Sequence, residues 1–79
     1  MTPLKYAKIL MRDNEAHVEK TIGGRHVRFL AYRSAIVDCD IQIDANRKNE
    51  NEFLFYYETK MFLVKEFKKF ALENYKKKN

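Results

Sequence analysis

The chain has 79 residues, with 16 basic and 11 acidic side chains and a formal charge of +5. Its hydrophobic share of 46% and aromatic share of 14% suit one folded domain over residues 1–79 and argue against an intrinsically disordered chain. No apolar run approaches the roughly 20 residues of a membrane span, and the first residues lack the apolar segment of a signal peptide. We therefore expect a cytoplasmic protein that does not enter a membrane. A chain this short buries only about 60% of its unfolded surface, so a homodimer is also expected.

Residues 4–44 are predicted to form four antiparallel strands joined by short turns. Gly23-Gly24 is the strongest turn signal, because both positions can adopt positive φ at no steric cost. Asp13-Asn14 is predicted as a second two-residue turn, and residues 34–36 as a three-residue turn. With these turns one face of the sheet is mainly apolar and the other mainly polar, as a half-buried antiparallel sheet requires.

The last third of the chain is predicted to complete this sheet and to cover it. Residues 45–51 are predicted as an exposed loop, and the aromatic run within residues 52–58 favours a fifth strand. Residues 59–78 are predicted as an amphipathic helix with Thr59 as its N-cap. The alternative is one long helix from about Asn51 to Lys78. The predicted fold class is therefore α+β, an antiparallel meander of five strands with one C-terminal helix packed on its apolar face.

The predicted C-terminal helix has an apolar face and, on its other side, a lysine stripe formed by Lys65, Lys69 and Lys76 with Lys68 at its edge. The apolar face consists of Leu63, Val64, Phe67, Phe70, Ala71 and Tyr75. Met61, Phe62 and Leu72 lie off this face and are interpreted either as the edge of the core or as a contact with a second subunit. The lysines favour nucleic acid, an anionic surface or an acidic protein as a partner, unless they only keep the helix soluble.

Two groups of residues are predicted to bind RNA. The phosphate-binding group is Lys8, Arg28, Arg47, Lys48, Lys65, Lys68, Lys69, Lys76 and Lys77. The base-stacking group, on the polar face of the predicted sheet, is Tyr6, Tyr32 and Tyr56. Leucines share this sheet face, so it is alternatively a dimer interface or a docking surface for a host protein.

Asp38, Asp40 and Asp44 form the strongest pattern for metal-dependent chemistry. On a strand all three carboxylates point the same way, as a small nuclease that uses Mg²⁺ would require. Acidic residues are also ordinary on a solvated sheet face, and the predicted register gives Asp44 a histidine neighbour. The sequence therefore predicts no metal site, and a nuclease is kept as the weaker alternative.

A nucleophilic cysteine–histidine pair would require Cys39 to lie near His17 or His26. The predicted sheet places Cys39 on its buried face and both histidines on the other, which predicts a buried, inert thiol. We therefore expect no catalytic residue, no cofactor and a non-enzymatic protein.

The overall composition of the chain resembles that of a group of small phage proteins. Asn, Lys and Tyr are abundant, and the chain closes with Lys76-Lys77-Lys78-Asn79. In size, basicity and style it resembles accessory proteins of T-even-like phages, among them the TifA type of inhibitor of bacterial toxin–antitoxin systems in which the antitoxin is an RNA. The resemblance transfers no functional residue. It implies RNA binding and inhibition of a host ribonuclease toxin in the host cytoplasm, without catalysis.

Overall fold

The computed structural model describes residues 1–75, which form three α-helices. α1 spans Pro3–Thr21, α2 spans Val27–Ala45 and α3 spans Glu50–Tyr75. Short turns, residues 22–26 and 46–49, reverse the chain direction, so that α1 and α3 run parallel to each other and antiparallel to α2. The bundle measures 44 × 29 × 20 Å. None of the three described helices is both long and apolar enough to cross a membrane.

The predicted α+β fold is wrong, because residues 1–75 contain no strand and therefore no five-strand meander. Residues 4–44 form most of α1 and α2, and the predicted fifth strand lies inside α3. The alternation of apolar residues over residues 37–44 favoured a strand. It does not exclude a helix, because residues four apart share one face in both structures. Cys39 and Ile43 do point inward, whereas Val37 and Ile41, two residues from them, are more than half exposed on the outside of α2.

The turns that a meander requires are also missing. Asp13-Asn14 and residues 34–36 were predicted as turns but lie within helices, where Asn14 and Ala35 are buried. Gly23-Gly24 is a turn, as predicted, with φ values of +68° and +91°, but it joins two helices instead of two strands. One glycine pair in 79 residues suits a three-helix bundle, which needs two chain reversals, better than a five-strand meander, which needs four.

Side-chain caps define where two of the helices begin. Thr2 Oγ1 accepts a hydrogen bond of 3.2 Å from the Lys5 amide, and Pro3 occupies the first helical position, where no amide donor is needed. Asn49 Oδ1 accepts a hydrogen bond of 3.2 Å from the Glu52 amide and caps α3 in the same way. The exposed loop predicted for residues 45–51 is therefore only the turn 46–49.

α3 runs without a break through the aromatic run, so the alternative prediction of one long helix is correct for the residues described. Thr59 is fully buried in the middle of this helix and is not its N-cap. The predicted helix end at Lys78 lies outside the described residues.

A small core holds the three helices together. Its centre consists of Ala7, Ala35, Cys39 and Leu63. Rings extend this core along the α2–α3 contact, where Phe67 lies 5.4 Å from Tyr32 and 5.2 Å from Phe29 between ring centroids. Alanines on α1 and α2 allow the helices to approach closely, but they bury little apolar surface, so several large hydrophobic side chains remain exposed.

Candidate nucleic-acid interface

A groove of about 400 Å³ lies between α1 and α3, with part of α2 at its base. Its floor and walls are apolar and consist of Leu4, Ala7, Met11, Tyr32, Phe62 and Leu63. Its rim is charged and consists of Lys8, Arg12, Glu15, Arg28 and Glu66. The size lies within the usual range of small-ligand sites, about 300–1,000 Å³. We refer to this feature as the groove.

The groove brings together cations that are distant in the sequence. Lys8 and Arg28, both predicted to bind RNA, lie on its rim although 20 positions separate them. Arg12, which the prediction omitted, lies beside Lys8 because residues four apart share one face of a helix. A helical interpretation of α1 would have identified Arg12 by this spacing.

Both arginines on the rim have carboxylate neighbours. Arg28 Nε lies 3.3 Å from Glu15 Oε2, and Arg12 Nε lies 3.6 Å from Asp13 Oδ1. Exposed pairs of this kind contribute about 0–1 kcal/mol, so exchanging a carboxylate for a phosphate oxygen costs little. The Arg28 guanidinium also lies 5.8 Å from the centre of the Phe70 ring, a contact that helps to orient it on the rim of the groove.

The three predicted stacking tyrosines do not form one platform, because the sheet face that would have presented them does not exist. Tyr32 forms part of the groove floor, where burial raises its pKa above the ordinary value despite the opposing charge of Arg28. Tyr6 instead packs against Phe55 and Tyr56 on α3, with ring centroids 5.4 and 5.9 Å apart. Of the three rings, Tyr32 is the one that lines the groove.

The described part of the predicted lysine stripe, Lys65 and Lys69 with Lys68 at its edge, is present on α3. Lys65, Lys68 and Lys69 are exposed on the side of α3 that faces away from the bundle. Lys69 follows the groove residues Phe62 and Glu66 at helical spacings of seven and three, so it extends the α3 wall of the groove. Lys65 and Lys69 therefore lie next to the groove, whereas Lys68 points toward the α2 side.

Arg47 and Lys48 are not part of the same site. They lie in the turn between α2 and α3, about 30 Å from Lys69 along the helix axis at 1.5 Å per residue. Arg47 is engaged there by Asp44, with its Nη2 2.7 Å from the carboxylate. Lys76 and Lys77, the remaining predicted phosphate ligands, lie outside the described residues.

The three aspartates considered for a metal site each contact a different side chain. Their neighbours are Asn14 for Asp38, Lys60 for Asp40 and Arg47 for Asp44. On a helix Asp40 and Asp44 share a face but Asp38 points away from both, which removes the single face that a strand would have given all three. Among residues 1–75, no group of three or more His, Cys, Asp or Glu side chains could hold a metal ion.

Cys39 is buried, as predicted, with 1% of its surface exposed. Burial, reinforced by the nearby Asp38 carboxylate, raises the pKa of its thiol to about 11. The thiol is therefore protonated at neutral pH and is a poor nucleophile. His26 Nδ1 lies 3.0 Å from the Tyr75 hydroxyl.

Comparisons with protein-family models, curated proteins and solved structures find no match for this chain. Its function is therefore inferred from the groove, its charges and the exposed faces of its helices.

Proposed function

We propose that this is a non-enzymatic RNA-binding protein that holds single-stranded RNA along the groove. The observation that carries the proposal is the convergence of Lys8, Arg12 and Arg28 on the rim of an apolar groove. The rim cations would bind phosphates, and an unpaired base would lie on the apolar floor beside Tyr32.

The chemistry of the groove favours an unpaired strand over a duplex. Bases in a duplex are stacked and cannot reach an apolar floor, whereas single-stranded RNA offers both free bases and phosphates. Glu15 and Glu66 on the rim could accept hydrogen bonds from exocyclic amino groups or from the 2′-hydroxyl, the group that distinguishes RNA from DNA. The overall charge of +5 adds long-range attraction for a polyanion.

The test compares two pairs of cations with a short RNA. Lys8→Gln with Arg12→Gln removes two rim charges, and Arg47→Gln with Lys48→Gln removes two charges in the α2–α3 turn, whose residues do not line the groove. All four side chains are exposed, so both variants should fold. Fluorescence anisotropy with a labelled hexaribonucleotide at several salt concentrations gives the affinity and its salt dependence.

We expect the rim variant to bind at least tenfold more weakly. Its salt slope should fall by about 1.4, since each phosphate contact on a single strand contributes about 0.7. The matched variant at the α2–α3 turn should bind the hexaribonucleotide as the wild type does. Equal loss in the two variants, or no binding by the wild type, would contradict a site in the groove.

The resemblance to phage inhibitors supports a more specific role. The protein would act in the cytoplasm of a bacterial host, where it would bind RNA and inhibit a ribonuclease toxin. Co-expression with such a toxin–antitoxin pair should restore growth, and the Lys8→Gln, Arg12→Gln variant should not.

A second candidate function is docking on a host protein without RNA. Val37 and Ile41, 53% and 58% exposed, lie one turn apart on the outside of α2 and support this alternative. If it is correct, Val37→Ser with Ile41→Ser should abolish growth rescue while the affinity for the hexaribonucleotide stays unchanged.

A further inference from the structure

The side of α3 that faces away from the bundle carries a row of exposed hydrophobic residues. Leu54, Met61 and Leu72 are 45%, 47% and 58% exposed. At 100° per residue they lie within about 20° of one another and opposite the buried Leu63. With Tyr57, Glu58, Lys65, Lys68 and Lys69 around them, they form what we call the outer face of α3. Exposed hydrophobic residues that line up along one face of a helix, with charged residues between them, are typical of the contact between paired helices.

We propose that the outer face of α3 binds a second copy of the chain, with the two α3 helices antiparallel across a two-fold axis near the level of Leu63. A two-fold interface requires one surface that is complementary to itself. The outer face meets this requirement in its hydrophobic residues and in Glu58, which finds a lysine of the other copy when the helices are antiparallel.

The charges determine the antiparallel direction. On the outer face the carboxylate, Glu58, lies in the N-terminal half of α3, whereas Lys65, Lys68 and Lys69 lie in the C-terminal half. Parallel helices would place like charges side by side, which costs several kcal/mol in an interface. Antiparallel helices place the acidic half of one copy against the basic half of the other.

The spacing of residues along α3 supports one register. With the axis at residue 63, Leu54 of each copy lies at the level of Leu72 of the other. Glu58 then comes within one residue, about 1.5 Å, of the level of Lys69 on one flank, and Tyr57 within one residue of Lys68 on the opposite flank. The two copies of Met61 lie on either side of the axis, about 6 Å apart in level, and each lies at the level of the other copy's Lys65, whose aliphatic stem covers it. Leucine therefore faces leucine, an acid faces a base, and an aromatic ring faces a cation.

The small core gives a physical reason for the pairing. Among the described residues seven hydrophobic side chains are buried, and three of these belong to alanines. Covering Leu54, Met61 and Leu72 in both copies would add six large side chains to the buried apolar surface. Small domains with little core commonly gain stability by association in this way.

The pairing also has a consequence for the groove. Lys65 lies on the flank of the outer face that is nearer α1, so both copies of Lys65 and both grooves would lie on the same side of the dimer. With both grooves on one side, one RNA strand could contact both copies. The pairing itself does not depend on RNA binding.

Charge reversal with heterodimer rescue tests the pairing. In Glu58→Lys, two lysines meet at each Glu58–Lys69 contact, and in Lys69→Glu two carboxylates meet. In a mixture of these variants, each contact again joins a carboxylate to an ammonium group. Both side chains are exposed, so the fold of each protomer should persist, and far-UV circular dichroism verifies this. Lys20→Glu, an exposed charge reversal on α1, is the matched control.

Sedimentation equilibrium of RNA-free protein at micromolar concentration provides the readout. We expect twice the chain mass for the wild type and for Lys20→Glu. The dimer dissociation constant should rise at least tenfold for Glu58→Lys and for Lys69→Glu, and an equimolar mixture of the two should recover the wild-type value. A wild type that stays monomeric at about 100 μM, where a dimer of micromolar dissociation constant would be largely formed, or single variants that still dimerise, would overturn the proposal. Failure of the mixture to recover would exclude the antiparallel register.

Discussion

Thr59 and Phe55 are joined by a hydrogen bond of 2.8 Å, in which the threonine hydroxyl donates to the carbonyl oxygen one turn earlier in α3. Thr59 is fully buried, and this bond satisfies a hydroxyl that would otherwise be left without a partner. The aromatic run and the residues after it therefore belong to one continuous helix.

Two substitutions at Thr59 test this continuity. Thr59→Asp should lower the free energy of unfolding by about 3 kcal/mol or more, because it buries a carboxylate inside the bundle. Thr59→Val keeps the shape and removes the hydroxyl, so it should change stability by less than about 1.5 kcal/mol. Urea unfolding followed by circular dichroism measures both. At a helix N-cap, aspartate would be tolerated as well as threonine, so a stable Thr59→Asp variant would contradict the buried mid-helix position.

The Gly23-Gly24 turn provides a backbone prediction. Gly24 has φ +91°, and a Cβ added there would meet no described heavy atom within 4 Å. Gly24→Ala should therefore lower the free energy of unfolding by about 1–2 kcal/mol, measured with urea, because alanine disfavours this backbone conformation. Gly23→Asn should cost less, because φ +68° lies close to the left-handed region that asparagine tolerates. A Gly24→Ala variant as stable as the wild type would mean that the turn has another conformation.

The buried amide of Asn14 links α1 to α2. It donates hydrogen bonds to the Leu10 carbonyl oxygen at 2.9 Å and to Asp38 Oδ2 at 3.2 Å. A double-mutant cycle of Asn14→Ala and Asp38→Ala should give a coupling energy of about 1 kcal/mol, since the two residues are in direct contact. Asp13→Ala, at the exposed neighbouring position, should change stability by less than about 0.5 kcal/mol. Strictly additive effects at positions 14 and 38 would contradict the contact.

The buried thiol of Cys39 makes stability depend on pH in the alkaline range. Its pKa is about 11 in the folded protein, against an ordinary value of 9.0. Between these values the unfolded chain loses the thiol proton and the folded protein keeps it, so the unfolded state is favoured as pH rises. The contribution of this group to stability should fall by on the order of 2 kcal/mol from pH 9 to 11.

The matched experiment for this effect uses Cys39→Ala. Urea unfolding at several pH values should show a weaker alkaline loss of stability for Cys39→Ala than for the wild type, because the variant lacks the thiol that titrates differently in the folded and unfolded chains. Parallel pH profiles would contradict a raised thiol pKa.

Several features of this protein were predictable from the sequence because they depend on local chemistry. The Gly23-Gly24 turn follows from glycine's access to positive φ, and the inward face of α3 around Leu63 follows from helical periodicity. The burial of Cys39 was predicted correctly, although the residue was placed in a strand. Apolar residues four apart lie on one face of a strand and also on one face of a helix, so both structures bury the same position.

The choice between strands and helices for residues 4–44 depended on contacts across the chain. Tyr32 packs on Phe67, 35 positions later, and Asn14 donates to Asp38, 24 positions later, and these contacts are formed only once three helices lie side by side. The groove has the same origin. Lys8, Arg28 and Glu66 belong to three different helices, and their meeting around one apolar floor depends on the bundle's packing, which no local pattern of residues specifies.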